Sequence, residues 1–374
     1  MDINPFGKIG IRLYNMQNNR DSRYSRHYQL TSFGPSGQEK LSQTKVLVIG
    51  AGGLGCPVLQ YLAAAGIGKL GIVDGDQVEL SNLQRQVLYS EIDLGLPKAR
   101  IAAHKLKLMN RNINIEVYEE FLTKDNAQEI AAEYDIIVDG SDNFATRYLV
   151  NDLSQMLGKP LVFGSILGFE GQVSVFNYGP NCPSYRCVFP DPPAPADSPS
   201  CSEAGVIGAL PGIIGSLQAM EVIKIASGIG KPLAGKLLIY NALDNNQYKI
   251  KLSQSTDIKK INSLDQKEYF YHCEFDNHEI AAEEFLQNQN QWEGRLIDLR
   301  EAHERNSELE VGRNIPFSEL GERKEIFSEI VDPILICQTG KRSQAAINFL
   351  HSEGLLNLYH IKGGWDELSK LADK

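Results

Sequence analysis

The sequence predicts an α/β protein, a doubly wound mixed sheet followed by a second, small α/β unit. Three observations carry that expectation. Apolar strand-like runs alternate with helical stretches from Thr44 onward, the pattern of a sheet with helices on its faces. A glycine cluster, Gly50 to Gly55, joins the first run to the first helical stretch. A polar segment at 253–276 then interrupts the series, and a shorter alternation follows it. A chain of 374 residues has room for two domains. The expected division is 1–252, a linker at 253–276, and 277–374.

Element by element, residues 1–35 read as an arm with a short helix. Residues 44–50 form an apolar strand, 55–65 a helix and 69–74 a second strand. Pro97 starts a helix to about Met109, since proline suits the first helical position. Residues 116–121 and 134–140 read as strands, the latter (YDIIVDG) of the buried type, and 144–157 as a helix stopped by Gly158. Strands at 161–166 and 171–177 follow. The proline-rich FPDPPAPADSPS, 189–200, can enter neither a helix nor a central strand and is expected to be an exposed crossing loop. Residues 205–228 read as a helix begun by glycine, and 236–252 as closing strands. In the second unit, strands are expected at 295–299, 333–337 and 358–361, with a helix at 343–353. No internal repeat is visible.

Composition narrows the function. The net charge of −10 repels phosphate backbones and anionic lipid, so nucleic acid is a poor partner. The polar stretch from Met1 to Tyr28 lacks the apolar centre of a secretory signal. The longest weakly polar stretch, 205–217, holds five Gly or Pro residues and is too short to span a bilayer. Six scattered cysteines argue against a disulfide scaffold. A reducing cytoplasm is the expected compartment.

The cluster Gly50-Ala51-Gly52-Gly53-Leu54-Gly55 follows a strand and opens a helix. Glycines there permit a tight turn and close approach of backbone to phosphate, while the helix start supplies free N–H groups. Asp74 ends the next strand, where a carboxylate can bind ribose hydroxyls. This much describes a Rossmann-like nucleotide site without saying which nucleotide. Further residues change the balance. Arg85, in the polar run Ser81-Asn82-Leu83-Gln84-Arg85-Gln86, and Lys98, beside a helix start, are cations; Asp142-Asn143 lies just past the 134–140 strand. Open α/β sheets bind ligands at that end. So much phosphate-directed charge suits a triphosphate better than a nicotinamide dinucleotide. The P-loop pattern GxxxxGK(S/T) does not occur.

The blocks KVLVIGAGGLG, DGDQVELSNLQRQ, VDGSDNFATRYLVND and SCSEAGVIGALPGIIGSLQAME resemble the MoeB/ThiF family of ubiquitin-activating-like adenylyltransferases, over about residues 20–250. The resemblance implies a ubiquitin-activating-enzyme-like sheet and ATP contacts at Gly53, Asp74, Ser81, Asn82, Leu83, Gln84, Arg85, Lys98, Asp142 and Asn143. It implies Mg²⁺ on Asp142, and a homodimer in which Arg26, from the arm motif RYSRH, reaches the ATP of the opposite subunit. The reaction it implies is adenylylation of the C-terminal carboxylate, in a Gly-Gly tail, of a ubiquitin-like sulfur-carrier protein. That chemistry fits the residues. The acyl donor is already ionised at neutral pH, so positioning and charge neutralisation by Arg85, Lys98 and the metal are what the enzyme must supply.

The cysteines divide by setting. Cys201 ends the proline-rich loop near a helix start, where a thiolate is favoured. It corresponds to the family cysteine that, in members with a sulfurtransferase domain, exchanges thioester or persulfide. The family usually carries two CxxC pairs that bind structural zinc. Here Ser184 stands ahead of Cys187 in place of one cysteine, Cys182 is displaced, and the second pair is missing apart from Cys273 beside His272. Zinc requires four close N or S ligands, so a structural zinc site is judged absent. Cys56, inside the helix after the glycine loop, reads as core.

In the second unit, Cys337-Gln338-Thr339-Gly340-Lys341-Arg342-Ser343 follows an apolar strand and precedes a helix. A thiolate or persulfide there would face backbone N–H groups and the helix dipole, with Lys341 and Arg342 nearby. With LIDLRE at 296–301 and HIKGGW at 360–365, this resembles a rhodanese domain over about 277–374. The short C-x4-R loop suits a sulfane sulfur better than the wider phosphate loop of phosphatase relatives. The two halves imply one pathway. An acyl-adenylate forms on the carrier, Cys337 holds a persulfide drawn from a sulfur donor, and transfer, with Cys201 as the candidate relay, leaves a thiocarboxylate. Molybdopterin-type or related sulfur-transfer biosynthesis is the expected setting. The rival readings are an NAD(P)-dependent oxidoreductase using the same glycine loop, a non-catalytic binding module, and a tRNA-acting relative, which the acidic balance disfavours.

Overall fold

A computed structural model describes residues 23–192, 205–255, 261–264, 269, 278–288, 292, 294–305, 312–352, 355 and 358–372. The described residues divide into two compact units, the first ending at Tyr269.

In the first unit, α1 (Ser25–Tyr28) and α2 (Gly34–Gln43) lead into β1 (Lys45–Ile49), α3 (Gly55–Ala65), β2 (Lys69–Val73), α4 (Lys98–Met109) and β3 (Asn114–Tyr118). Then come α5 (Ala127–Ala132), β4 (Ile136–Asp139), α6 (Phe144–Leu157), β5 (Leu161–Leu167), β6 (Glu170–Phe176), α7 (Ala209–Ser227), β7 (Lys236–Asn241) and β8 (Gln247–Lys251). The eight strands form one mixed sheet in the order β3-β2-β1-β4-β5-β6-β7-β8. The first five are parallel, and β6, β7 and β8 are antiparallel. β1 (KVLVI) and β4 (IIVD) are buried almost throughout because helices cover both faces. β8 (QYKIK) is exposed along its length, as an edge strand.

The helix α7 shows how composition can mislead. By length and composition it could cross a membrane. Its polar residues show instead that it belongs to the core. Gln218 is buried and donates to Asp139 O at 2.7 Å, and buried Glu221 accepts from Leu233 N at 2.8 Å. A Cβ on Gly164 would lie 2.4 Å from Gln218 and one on Gly171 2.3 Å from Ile214, so those strand glycines let the helix settle on the sheet. Residues 205–208, expected as its first turn, precede it; Val206 bridges to Gly168. Pro97, expected at the first helical position, takes the cap position of α4 with φ −59 and ψ 125, and Lys98 opens the helix. Of the polar segment after β8, Ile261, Leu264 and Tyr269 are buried, and Tyr269 Oη donates to Asp152 at 2.9 Å. The crossing loop is described only as far as residue 192.

The second unit has five parallel strands in the order β11-β10-β12-β13-β9. They are β9 (His278–Ile280), β10 (Leu296–Asp298), β11 (Arg313–Asn314), β12 (Ile334–Ile336) and β13 (Tyr359–Ile361). Helices α8 (Ala282–Gln287), α9 (Glu325–Ser328), α10 (Lys341–Ser352) and α11 (Gly364–Ala372) accompany them. One apolar cluster gathers Ile297, Leu335, Ile347 and Leu350; another joins Phe285, Ile336, Ile361 and Leu368.

Candidate active sites

The first site is an open cleft of about 920 Å³, solvent at its mouth included, at the carboxyl ends of β1, β2 and β4. The 50–55 loop forms its floor. Gly50 has φ +87, and a Cβ on Gly55 would fall 1.9 Å from Gly50 O. No other residue fits those two positions without moving the turn. No side chain caps α3, but Cys56 N donates to Gly52 O at 2.9 Å and Pro57 has no N–H, so the donors left for an anion are those of the glycine loop up to Gly55 rather than the first turn of the helix. Asp74 holds the loop's shape: Oδ2 accepts from Ala51 N at 2.7 Å and Oδ1 from Asp76 N at 2.9 Å. Each oxygen keeps a lone pair for a ribose hydroxyl. Burial raises its pKa to about 6, against the opposing pull of Lys98.

Two cations lie over this floor. The Arg85 Cδ would be 3.7 Å from a Cβ on Gly53, and Nη1 donates to Ser81 O at 2.9 Å. Lys98 lines the cleft with its ammonium bound to Asp76 at 2.7 Å. Asp76 therefore holds the lysine before any phosphate does. On the opposite wall Asn143 caps α6, its side chain accepting from Thr146 N at 2.8 Å. That leaves Asp142 exposed in the cleft and not engaged as the cap. Beneath it lies a buried pair, Asp139 with Arg147 at 3.5 Å, and Asp139 also accepts from Ser141 Oγ at 2.5 Å. Burial raises the Asp139 carboxyl above its ordinary range while Arg147 opposes.

The structure thus brings Gly53, Asp74, Arg85, Lys98, Asp142 and Asn143 to one cleft. Ser81, Asn82, Leu83 and Gln84 do not line it. Ser81 and Asn82 belong to a 3-10 turn, Leu80–Asn82, whose side chains bond locally: Glu79 N donates to Asn82 Oδ1, and Ser81 Oγ donates to Glu79. Asp76 and Arg147 are cleft residues that sequence reasoning missed. The first stood in plain sight in DGD; the second lies one helical turn beyond Asn143, a spacing that returns a side chain toward the helix start. Arg26 lies on α1 and donates to Gln29 at 3.4 Å, away from its own chain's cleft.

The other thiols of this unit serve packing. Cys56 is buried, donates to Ala51 O, and is pushed up to about 12 by burial. Cys182 donates to Val175 O, and Cys187 pairs with the Ser184 hydroxyl at 3.4 Å. Cys201, His272 and Cys273 lie outside the described residues. Among the described residues no group of three or more His, Cys, Asp or Glu is arranged to hold a metal.

The second site is the loop from β12 to α10. Cys337 is fully buried, and its Sγ accepts from Ser343 N at 3.3 Å. Gly340 turns the loop with φ +84. The following turn clamps it, with Trp365 N donating to Cys337 O and Asp366 N to Gln338 O. A Cβ on Gly364 would meet Cys337 O at 2.3 Å. Arg342, expected to lend charge to the sulfur, forms a bidentate pair with Glu304 at 2.7 Å on both arms. The guanidinium holds Glu304 well down, at about 2. Among the described residues the backbone donor to the sulfur is Ser343 N, with the Ser343 hydroxyl 3.6 Å away.

Comparison with known proteins agrees with both geometries. The ThiF family model matches residues 24–260 and the rhodanese-like domain model residues 281–371. A sulfur carrier protein adenylyltransferase of Thermus thermophilus is 56% identical over 59% of this chain and 83% of its own. The adenylyltransferase and sulfurtransferase MOCS3-1 of Zea mays is 38% identical over 91% of this chain and 80% of its own. The crystal structure of Escherichia coli MccB with ATP matches at a TM-score of 0.54 and 26% identity, over 64% of this chain and 74% of that one. A glycine-floored anion cleft on a doubly wound sheet, joined in one chain to a cysteine loop on a small parallel sheet, identifies the chain as a member of the ThiF family with a C-terminal rhodanese-like domain.

Proposed function

We propose that this chain is an ATP-dependent adenylyltransferase for the C-terminal glycine carboxylate of a ubiquitin-like sulfur-carrier protein, and that its second unit then delivers sulfur to give a thiocarboxylate. The observation that carries the reading is the convergence of Arg85, Lys98 and Asp142 on one glycine loop. A redox dinucleotide makes no use of such a set, whereas two anions that must meet require it. The names of the relatives point the same way.

The triphosphate lies along the loop N–H groups ahead of α3, with ribose on Asp74. A carrier carboxylate oxygen attacks the α-phosphorus, the bond to the β-phosphate oxygen breaks, and pyrophosphate leaves. Arg85 and Lys98 meet the developing charge, the lysine exchanging Asp76 for phosphate. The donor set suits Mg²⁺: one exposed carboxylate, Asp142, together with substrate phosphates is how that ion is commonly held, and it would supply further charge neutralisation. In the second stage the outer sulfur of a Cys337 persulfide attacks the acyl carbon and AMP leaves. The product is an acyl disulfide on Cys337. A thiol, for which Cys201 is our candidate, attacks the Cys337 sulfur, releases the thiocarboxylate, and leaves a disulfide for an external thiol to reduce.

The working arrangement we propose is a cytoplasmic homodimer with Arg26 reaching the partner's nucleotide, ATP and Mg²⁺ at 1–252, a connecting segment at 253–276, and a persulfide donor charging 277–374. The test is mass spectrometry of a Gly-Gly-ended carrier incubated with the full chain, ATP, Mg²⁺, thiosulfate and a reducing thiol. Adenylate without thiosulfate and thiocarboxylate with it are expected. Carrier of unchanged mass, with no carrier-dependent ATP–pyrophosphate exchange, rejects the proposal.

A further inference from the structure

Behind the Cys337 loop, a buried hydroxyl and a buried imidazole line up with the sulfur. β12 and β13 run parallel with Leu335 opposite His360. Side chains two apart on a strand share a face, so Cys337 lies on the face that His360 and Leu335 present to α10. Ser343, on the first turn of α10, sits between them. Its Oγ is 3.6 Å from Cys337 Sγ and 3.4 Å from His360 Nδ1, and donates to Gly340 O at 2.9 Å. Cys337 and Ser343 are fully buried and His360 is 3% exposed. The far nitrogen, Nε2, has no hydrogen-bond partner among the described residues and faces Glu279 Oε1 at 3.7 Å from the neighbouring strand. A serine packed as filler calls for no imidazole behind it, and a buried imidazole with one nitrogen unsatisfied is costly unless it has a use.

Proton arithmetic suggests that use. A hydroxyl has one hydrogen. While Cys337 is a thiol, Ser343 gives that hydrogen to Gly340 O and can accept the S–H. Once the sulfur is an anion it has nothing to donate, and the hydroxyl must turn its hydrogen toward sulfur. The lone pairs then released need a donor, and His360 Nδ1–H is the donor in place. That tautomer leaves a bare lone pair on Nε2 against the Glu279 carboxylate, an arrangement that protonation of Nε2 relieves. An anion at sulfur and a proton on His360 therefore favour one another.

We propose that His360, acting through Ser343, is a positioning residue for the Cys337 sulfur: it sets the direction of the Ser343 hydroxyl and, when protonated, steadies the sulfur anion. This rests on the reading of Cys337 as the sulfur carrier. The charged groups acting on the ring are Glu279 from β9 and Lys362 just past the end of β13, and these two are paired at 2.8 Å. α10 presents Ser343, β12 presents Leu335, and on α11 Asp366 binds Gln338 while Glu367 binds Lys370. Burial holds the imidazole below its ordinary value against the pull of Glu279, so its charge counts on the acid side of neutrality.

The test is the rate of iodoacetamide alkylation of Cys337 in the full chain against pH, followed by mass of the Cys337 peptide, together with thermal unfolding. Alkylation needs no carrier, ATP or sulfur donor, so it remains informative even if sulfur transfer fails. His360→Asn keeps a side-chain donor and removes the charge. We expect alkylation of this variant to fall about five- to tenfold between pH 5 and 6.5, on the scale of one charge interaction across a buried gap, and to match the wild type above pH 8. Ser343→Ala should slow it across the whole range. Overlapping profiles for wild type and folded His360→Asn overturn the proposal. If that variant unfolds early, Glu279→Gln decides. It leaves the ring and its serine contact in place, and a drop of about two- to threefold below pH 6.5 is expected; an unchanged profile overturns the proposal.

Discussion

The two units each offer a proposed anion site where a strand turns into a helix, and the two sites are built differently. In the first, the 50–55 loop lies open under movable cations: Arg85 held by one backbone oxygen, and Lys98 on an exchangeable carboxylate. In the second, the 337–343 loop closes on a single sulfur, and Arg342 is locked by Glu304 through two bonds. An exchangeable polyanion calls for side chains that can leave their resting partners. A covalently held sulfur calls for fixed donors such as Ser343 N. The contrast teaches that the same strand-to-helix corner can serve transient or permanent charge, and that the resting partners of its cations reveal which.

Sulfur chemistry gives the largest expected effect. Cys337→Ala should bring thiocarboxylate yield to background while adenylate formation stays within about twofold, as for sites in separate compact units. Mass spectrometry of the carrier with and without thiosulfate reads both. Thiocarboxylate at the wild-type level would refute the role given to the second loop. Next comes the open cleft. Arg85→Ala should slow carrier-dependent ATP–pyrophosphate exchange by about 10²–10³, the usual loss on removing one charge-directed donor. Arg342→Ala should slow Cys337 alkylation by less than about threefold, since its charge is already met by Glu304. If the two arginines cost the same in their own assays, the comparison fails.

Asp74 offers a third, smaller test, through pH. Its carboxyl is raised by burial to about 6, so the ionised form that accepts ribose hydroxyls is lost as pH falls through that value. Nucleotide affinity, measured by titration calorimetry, should be level above pH 7 and about tenfold weaker at pH 5. Asp74→Asn should bind more weakly and show no change over that window. The stability sign runs opposite to that of a salt-bridged acid. The folded state holds this proton more tightly than the unfolded chain, so the buried carboxyl destabilises the ligand-free protein progressively as pH rises from about 4 to 6. Binding that is flat from pH 7 to 5 would remove Asp74 from the ribose site.

Much of this was legible in the sequence, for physical reasons. β1 and β4 announce themselves because burial on both faces demands unbroken apolar runs. The glycine loop is legible because its geometry excludes side chains. Arg85, Lys98 and Asp142 stand out because strand ends on an open sheet place them on one side. Other features depend on partners distant in the chain. β9 and β11 are three and two residues long, too short to carry a period. The 81–84 segment looks ligand-directed in one dimension, yet Ser81 and Asn82 bond locally with Glu79 in a tight turn. Glu304 gives no sign of holding Arg342 until α10 is placed beside it.

That last pair carries the smallest prediction and the sharpest one for the closed loop. Glu304 is held at about 2 by Arg342, below its unfolded value. The stability it lends is therefore present above about pH 4.5 and lost as pH falls toward 2. Both side chains keep a quarter or more of their exposure, at 25% and 29%, so screening leaves about 1 kcal/mol or less of the coupling. Glu304→Gln should lower the unfolding temperature of the second unit by a few degrees at pH 7 and by progressively less toward pH 3. It should also free the guanidinium beside the sulfur and speed Cys337 alkylation about two- to threefold. A variant that loses stability with no gain in alkylation would mean that Arg342 serves the fold alone, and the charge around this sulfur would then be the backbone's.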